Sequence, residues 1–379
     1  MNPDLEFGRF FLPGPTEVRP EVLSAMLQPV IGHRGSAMRE MLERIEPGLQ
    51  ELFGTRRPVI VSTSSATGLM ETAITNLSDR RVLALVCGAF GDRFRAIAEM
   101  CGRPVDVLPV DPGLPNLPQT LEFALNAEMD RWDLVTVVHS ETSTGVLNPI
   151  AEIAGVVRRY ENVLLAVDGV TSVGGAPIEF DEWDVDFLLT GSQKALALPP
   201  GLALGVASDR ALARAASIPV RSFYFDLVGF ERRAREYQTT NTPAVSLIYA
   251  LERQLERIAV EGLDRRLARH RAMAERTRKW VDELGAMLGA GYGILAAEGY
   301  RSPTVTAVTL PDHIQGSDVV AAVRERGFTI ATGYGALKQR CIRIGHMGDH
   351  SLEELDIILE VIRDELSRLT ATSAGSEGT

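Results

Sequence analysis

The sequence predicts an α/β protein whose larger domain holds a mostly parallel β-sheet between layers of helices. Short runs of β-branched and aliphatic residues recur between residues 59 and 190, and helical segments lie between most of them. Several of these runs are apolar on both faces, which is typical of parallel strands covered on two sides. A third observation is the length, because 379 residues can form two domains.

The elements follow from hydrophobic period and turn residues. We predict strands at 59–62, 82–86, 105–110, 134–138, 163–167 and 187–190, and helices at 20–27, 36–52, 67–77, 91–101, 118–128 and 150–160. An arginine- and glutamate-rich helix after Leu247 leads into a smaller α+β domain, with helices at 263–287, 316–326 and 351–369 and strands at 304–310 and 341–344. We assign 1–19 to an N-terminal arm, 20–255 to the large domain, 256–369 to the small domain and 370–379 to a disordered tail.

Composition excludes several classes of protein. The formal charge of −11 argues against a nucleic-acid partner, and no apolar run is long enough to span a membrane. The first residues lack the basic and apolar parts of a signal peptide. The cysteines Cys87, Cys101 and Cys341 show no CxxC spacing, so we expect no metal site, no disulfides and a cytoplasmic location.

Lys194 is the first candidate for chemistry. The chain has only three lysines, and this one follows the apolar run 186–190 and a turn of small residues. A buried lysine can lose its proton, which arginine cannot, and can then form a Schiff base with a carbonyl group. A surface lysine left in an arginine-rich chain explains the residue equally well when it is considered alone.

Other polar residues follow the predicted strands, and the carboxyl ends of parallel strands share one edge of a sheet. Ser65, Ala66 and Thr67 precede a helix and could bind an anion, although a plain helix cap is the simpler interpretation. Phe90 could stack on a flat ring or pack in the core. Asp168 ends an apolar strand, where it would meet a buried cation or cap a helix.

Arg343 lies in a strand of the small domain, between Ile342 and Ile344. It therefore points to the face opposite these two residues. It could bind a substrate carboxylate with two hydrogen bonds or form a structural salt bridge. Considered alone, the two roles are equally well supported.

Together these residues resemble the class V family of pyridoxal-phosphate aminotransferases, which have fold type I. The resemblance extends from Leu12-Pro13-Gly14-Pro15 to the motif at 343–348, and its most specific marks are 139–145, 168–175 and 191–201. Within the family the chain is most similar to alanine–glyoxylate, serine–pyruvate and serine–glyoxylate aminotransferases. Aspartate and phosphoserine aminotransferases of the same branch are also similar.

The resemblance implies a role for each residue. Lys194 would hold pyridoxal 5′-phosphate as a Schiff base and transfer the proton, and Asp168 would pair with the pyridinium nitrogen. The remaining cofactor-binding residues would be Ser65, Ala66, Thr67 and Gln193 at the phosphate, Phe90 and Val170 on the two faces of the ring, and Thr142 at the ring hydroxyl. Gly14 and Arg343 would bind the substrate, with Arg343 holding its α-carboxylate.

The family forms homodimers, so the resemblance also implies a site shared between two subunits. Thr242 would reach the partner's phosphate site, whereas the roles of Tyr237 and Asn241 stay open. The expected reaction is ping-pong transamination between alanine or serine and glyoxylate or pyruvate. Aspartate or phosphoserine as donor is the alternative, with His33 or Arg34 as the extra cation.

Two further alternatives are a cysteine desulfurase-like lyase and a non-catalytic pyridoxal-phosphate-binding protein. A desulfurase needs a cysteine on a mobile loop, and Cys341 lies in a predicted strand instead. A non-catalytic protein has no evident need for Lys194, Asp168 and Arg343 together.

Overall fold

A seven-stranded sheet organises the large domain of the computed structural model, which describes residues 7–376 and side chains through residue 371. Residues 1–6 of the predicted arm and 377–379 of the predicted tail lie outside the described residues. The strands of the large domain are β1 (Ile60–Ser62), β2 (Val82–Val86), β3 (Val105–Pro109), β4 (Leu134–Val138), the hairpin β5 (Ser140–Glu141) and β6 (Val146–Leu147), β7 (Leu164–Asp168), β8 (Phe187–Gly191) and β9 (Ala203–Ala207).

The sheet is mostly parallel, as predicted. Its order is β1-β9-β8-β7-β4-β2-β3, and only β9 runs antiparallel to its neighbours. The prediction missed β9, a short strand that contains Gly205 and carries a weak β pattern. Because β9 returns between β1 and β8, it separates the turn after β1 from the turn after β8 by one strand.

Two helical layers cover the sheet. The helices are α1 (Pro20–Ala25), α2 (Ser36–Phe53), α3 (Ala66–Leu77), α4 (Ala89–Met100), α5 (Pro118–Ala127), α6 (Ile150–Val157), α7 (Phe180–Trp183), α8 (Asp209–Ser217), α9 (Leu227–Arg235) and α10 (Val245–Glu261). Leu165 and Val167 of β7 pack in one core with α2, α5, α6 and α10. Leu164 and Ala166 pack in the opposite core with α3, α4, α8 and α9. Strand β7 is therefore apolar on both faces because both faces are covered.

The small domain is an α+β layer, also as predicted. It comprises α11 (Leu263–Leu288), β10 (Gly293–Ile294), β11 (Val305–Thr309), α12 (Gly316–Glu325), β12 (Ala331–Thr332), a 3₁₀ turn (Gly335–Leu337), β13 (Cys341–Gly345) and α13 (Leu352–Ser376). Its four strands form an antiparallel sheet in the order β10-β11-β13-β12. None of the described helices is long and apolar enough to cross a bilayer.

Two predicted boundaries differ from the structure. Residue 255 falls inside α10, which continues to Glu261 because Ile258 still packs in the core of the large domain. The last helix continues to Ser376, through residues that we predicted to be a disordered tail. Thr370 supports this extension, since its hydroxyl donates to Leu366 O at 2.8 Å and contacts the Tyr292 hydroxyl at 3.2 Å.

The N-terminal arm links the two domains. Phe11 is fully buried in the core of the small domain and its amide donates to Thr329 O at 2.8 Å. Five residues later, the Thr16 amide donates to Gln193 O at 2.9 Å and its hydroxyl donates to Lys194 O at 2.8 Å. The arm therefore fixes the small domain against the turn that follows β8.

Candidate active site

A cavity of about 270 Å³ lies at the carboxyl ends of the parallel strands. This is the edge at which open α/β sheets bind ligands. Nine of the predicted site residues line it: Ser65, Ala66, Thr67, Phe90, Thr142, Asp168, Val170, Gln193 and Lys194. The sheet brings these residues together from five separate stretches of the chain.

Lys194 is buried, with only 7% of its surface exposed. Its ammonium group donates a hydrogen bond to Pro13 O and lies 5.7 Å from the centre of the Phe90 ring. Burial lowers the pKa of Lys194 to about 8, and the nearby Arg343 cation adds to this effect. The amine can therefore lose its proton far more readily than a surface lysine.

Gly14 packs directly against this lysine. A β-carbon at Gly14 would lie within 2.4–2.5 Å of the Cδ, Cε and Nζ atoms of Lys194, and the backbone there has φ +112°. Both facts require glycine, because a side chain would displace the lysine and strain the backbone. Gly14 is thus beside the amine although it does not line the cavity.

Asp168 is a buried carboxylate at the end of β7, with 3% of its surface exposed. Its Oδ1 accepts a hydrogen bond from the Val170 amide at 2.8 Å, and its Oδ2 has no donor among the described residues. Burial raises the pKa of Asp168 to about 6. A ligand cation in the cavity would supply the missing partner.

The start of α3 presents unpaired backbone donors. The amides of Ala66 and Thr67 make no hydrogen bond within the described part of the chain, and the Ser65 side chain does not cap the helix. Gln193 lines the same part of the cavity wall. Free amides at a helix N-terminus form a favourable site for an anion such as a phosphate group.

The walls beside Asp168 suit a flat ring. Phe90 supplies an aromatic side chain and Val170 a branched aliphatic one. Thr142 makes a hydroxyl–hydroxyl contact of 2.6 Å with Thr171. The cavity thus combines apolar walls with a carboxylate at one position, free amides at another and an amine between the domains.

Arg343 reaches the cavity from β13 and is 9% exposed. Its Nε donates to Thr332 O at 2.9 Å and its Nη1 donates to Thr142 O at 3.2 Å. No carboxylate of the described residues forms an ion pair with it, so the salt-bridge alternative has no partner there. Burial lowers its pKa, and Nη2 is left for a ligand.

The segment 237–243 lies elsewhere in the same subunit. Thr242 is exposed and does not line the cavity, while Tyr237 packs against the large-domain core. Arg34 donates to Thr239 O at 2.5 Å and Thr240 O at 2.9 Å, so its guanidinium holds this segment in place. The extra cation expected for an acidic substrate is therefore not Arg34 in this arrangement.

Sequence reasoning missed Arg93, Met70, Val138 and Thr171 as cavity residues, and named Ser140 only as part of a motif. Arg93 lies one helical turn after Phe90, with its guanidinium carbon 4.8 Å from the centre of that ring. The spacing of three residues in a helix could have indicated it, because such residues share a face. Nothing in the sequence around Met70 marks it as a site residue.

Wider clefts lie away from this cavity. One of about 670 Å³ is lined by Arg158, Arg159, Arg210 and Arg214, beside the amino end of β7. Another of about 470 Å³ lies at the domain junction, where Arg266 and Arg269 pair with Glu261 and Asp349. Neither cleft contains a buried amine, so the strand-end cavity is the stronger candidate for catalysis.

Comparison with known proteins gives a consistent result. The family model described as "Aminotransferase class-V" matches residues 10–356. An uncharacterised aminotransferase of Methanocaldococcus jannaschii is 38% identical over 342 residues, covering 89% of this chain and 87% of that protein. The alanine–glyoxylate aminotransferase of Oryctolagus cuniculus is 33% identical over 367 residues, covering 93% of this chain and 91% of the relative.

The fold is also similar to that of solved structures. The alanine–glyoxylate aminotransferase of a Nostoc species superposes with a TM-score of 0.88 and 29% identity, covering 97% of each chain. This agreement includes both domains.

Proposed function

Because the chain belongs to the class V aminotransferase family, we propose that it transfers the amino group of alanine or serine to glyoxylate or pyruvate by a ping-pong mechanism. The family uses pyridoxal phosphate, and the chain is an aminotransferase. The observation that carries the proposal is the burial of Lys194 in the cavity that also contains Asp168. The rabbit relative, an alanine–glyoxylate aminotransferase, supports the choice of donor and acceptor.

The cavity residues fit pyridoxal phosphate. The free amides of Ala66 and Thr67, with Ser65 and Gln193, would hold the phosphate. The Asp168 Oδ2 atom, which lacks a donor, would accept a hydrogen bond from the protonated ring nitrogen.

The remaining contacts would be made by the walls of the cavity. Phe90 and Val170 would enclose the two faces of the ring, and Thr142 would bond the ring hydroxyl. Lys194 would hold the cofactor covalently. When bound, pyridoxal phosphate supplies an electron-accepting ring for charge that develops at the substrate Cα and carries the amino group between the half-reactions.

Lys194 and Arg343 would act on the substrate itself. Arg343 would fix the α-carboxylate through Nη2, because two of its other donors are held by Thr332 O and Thr142 O. The Lys194 Nζ atom would accept the proton that leaves Cα. Its lowered pKa favours this step, since a base that works near neutral pH needs a pKa near that value.

We also propose that the active form is a homodimer in which each subunit contributes to its partner's site. Thr242 is exposed and outside its own cavity, as a residue that serves a neighbouring subunit would be. Arg34 fixes the backbone just before it.

The alternatives have less support. Aspartate or phosphoserine as donor requires a cation near the mouth of the cavity, and Arg93 rather than His33 or Arg34 is the described residue that lines it. A desulfurase would need a mobile, reactive cysteine, but Cys341 is buried in β13 and burial raises its pKa to about 11. A non-catalytic binding protein would not need a buried amine beside an arginine that lacks an acidic partner.

A visible absorbance spectrum tests the proposal. The purified protein, supplied with pyridoxal phosphate, should absorb near the visible range and lose that band when alanine or serine is added. Loss of the band only with aspartate or phosphoserine would change the substrate assignment. A protein that never acquires the band would contradict the role of Lys194, and sulfide release from cysteine would favour the lyase.

A further inference from the structure

Tyr334 lies at the junction of the two domains, in the segment between β12 and the 3₁₀ turn. It was not among the predicted site residues. Its ring centre is 5.8 Å from that of Phe90 in the large domain and 5.6 Å from the guanidinium carbon of Arg343. Tyr334 therefore contacts both a cavity wall and the arginine that lacks an acidic partner.

The backbone holds Tyr334 in this position. The Gly333 amide donates to Cys341 O at 2.6 Å, and the Leu337 amide donates to Tyr334 O at 3.0 Å. A β-carbon at Gly333 would lie 2.0 Å from Leu337 O, so the turn closes too tightly for a side chain there. The ring can rotate about its own bonds, but its attachment point is fixed.

The same contacts define where a substrate side chain must go. A donor whose carboxylate binds Arg343 must bring its amino group toward Lys194, and Lys194 lies 5.7 Å from the centre of the Phe90 ring. Phe90 and Tyr334 together extend from the lysine to the arginine. The donor's Cα lies between these groups, and its side chain has the room that the two rings leave.

The exposed fraction of Tyr334 supports this position at the opening. The residue is 41% exposed, although one side of its ring contacts Phe90 and Arg343. Its hydroxyl makes no hydrogen bond among the described residues, so no polar contact explains its placement. The ring, rather than the hydroxyl, is the part that faces other groups.

We propose that Tyr334 is a specificity-determining residue that limits donors to amino acids with short side chains, such as alanine and serine. The proposal rests on the proposed function, because it assumes that Arg343 binds the α-carboxylate. A longer unbranched chain meets the Tyr334 ring before the carboxylate reaches Arg343. Each additional methylene that is excluded or admitted in this way changes the relative rate by roughly 10-fold or more.

The test is a chain-length series on the holoenzyme. We expect kcat/KM to fall from alanine through 2-aminobutyrate and norvaline to norleucine in the wild-type enzyme. In Tyr334→Ala the ratio of norvaline to alanine should rise roughly 10-fold or more. Tyr334→Phe is the matched control and should keep the wild-type profile, because it retains the ring.

Equilibrium binding of unreactive carboxylates gives a second measurement that does not depend on turnover. Propionate should bind the wild-type enzyme more tightly than pentanoate, and Tyr334→Ala should reduce that difference. If Tyr334→Ala does not fold, Tyr334→Leu keeps an apolar side chain and should give an intermediate profile.

Two outcomes separate the claims. An unchanged chain-length profile in Tyr334→Ala or Tyr334→Leu, with normal turnover of alanine, would overturn the role of Tyr334 and leave the aminotransferase assignment intact. Failure of the wild-type enzyme to react with any amino acid in the series would instead contradict the proposed function on which the inference rests.

Discussion

At the residue scale, the candidate site depends on buried groups whose charges are costly. Lys194 and Asp168 both lie in the same cavity, and burial shifts the pKa of each toward its neutral form. Shifts of this kind are common at catalytic sites because the chemistry needs groups that exchange protons near neutral pH. A site that only stabilised the fold would not need an amine and a carboxylate with unfilled hydrogen-bonding capacity.

Replacement of Lys194 by alanine should abolish transamination. The loss should include the proton transfer, which typically contributes about 10² to 10⁴ in rate, as well as covalent attachment of the cofactor. Lys194→Arg is the matched control: it keeps a cation in place but cannot lose its proton, so it should be equally inactive. Single-turnover assays with alanine measure both variants, and residual transaminase activity in either would defeat the assignment.

Replacement of Asp168 by asparagine should stabilise the cofactor-free protein above pH 6 while impairing catalysis. The pKa of Asp168 is about 6 in the folded state against an ordinary value of 3.8, so the folded state binds more protons between these values. The free energy of unfolding of the wild-type protein therefore falls as pH rises from about 4 to 6. The shift corresponds to about 3 kcal/mol.

Urea unfolding between pH 4.5 and 7.5 tests this sign. The variant's advantage should be small at pH 4.5 and should grow to its full value by pH 7. An advantage that shrinks as pH rises would contradict the proposed cause.

At the element scale, the hairpin β5–β6 positions the start of α4. Glu141 is fully buried, and its carboxylate accepts hydrogen bonds from the amides of Phe90 and Gly91 at 3.1 Å and of Ser143 at 3.0 Å. A carboxylate at a helix N-terminus satisfies free amides and interacts favourably with the helix dipole. The ring of Phe90 is therefore placed by a residue that is distant in sequence.

Glu141→Gln should destabilise the protein by about 1–3 kcal/mol, because an amide group replaces a charged acceptor beside buried donors. Glu152→Gln is the matched control, since Glu152 lies in the first turn of α6 but is exposed. It should change stability by less than about 0.5 kcal/mol. Urea unfolding measures both, and equal effects would show that Glu141 does not hold the helix start.

At the scale of the whole molecule, the two domains are joined around the candidate lysine. Arg266 of α11 is buried, donates to Ala195 O at 2.7 Å and pairs with Asp349 at 2.8 Å. The arm residue Thr16 holds the preceding carbonyls from the other direction. Movement of the small domain is therefore mechanically connected to the turn that carries Lys194.

The proposed dimer predicts a particle of twice 41.3 kDa by light scattering. Thr242→Ala should weaken binding of pyridoxal phosphate by about 10-fold or more, because it removes a hydrogen bond to a charged group. Thr120→Ala changes an exposed threonine of α5 and should have no effect. A monomer with normal activity, or equal affinities in the two variants, would contradict the shared site.

Much of the fold followed from the sequence, because hydrophobic period and turn residues are local signals. They predicted the parallel strands, the positions of most helices and the small α+β domain. They did not predict β9, because its identity depends on pairing with β1 and β8 rather than on its own composition. The extension of α13 likewise depends on contacts such as that between Thr370 and Tyr292.

For the candidate site, the sequence by itself determined which residue types follow the strands, and the parallel arrangement implied that they meet. Only the tertiary structure decided which neighbours surround them. It placed Gly14 against Lys194, left Arg343 without an acidic partner, and brought Tyr334 to Phe90. The physical reason is that these contacts join the arm, the large domain and the small domain, and their geometry depends on packing between segments distant in sequence.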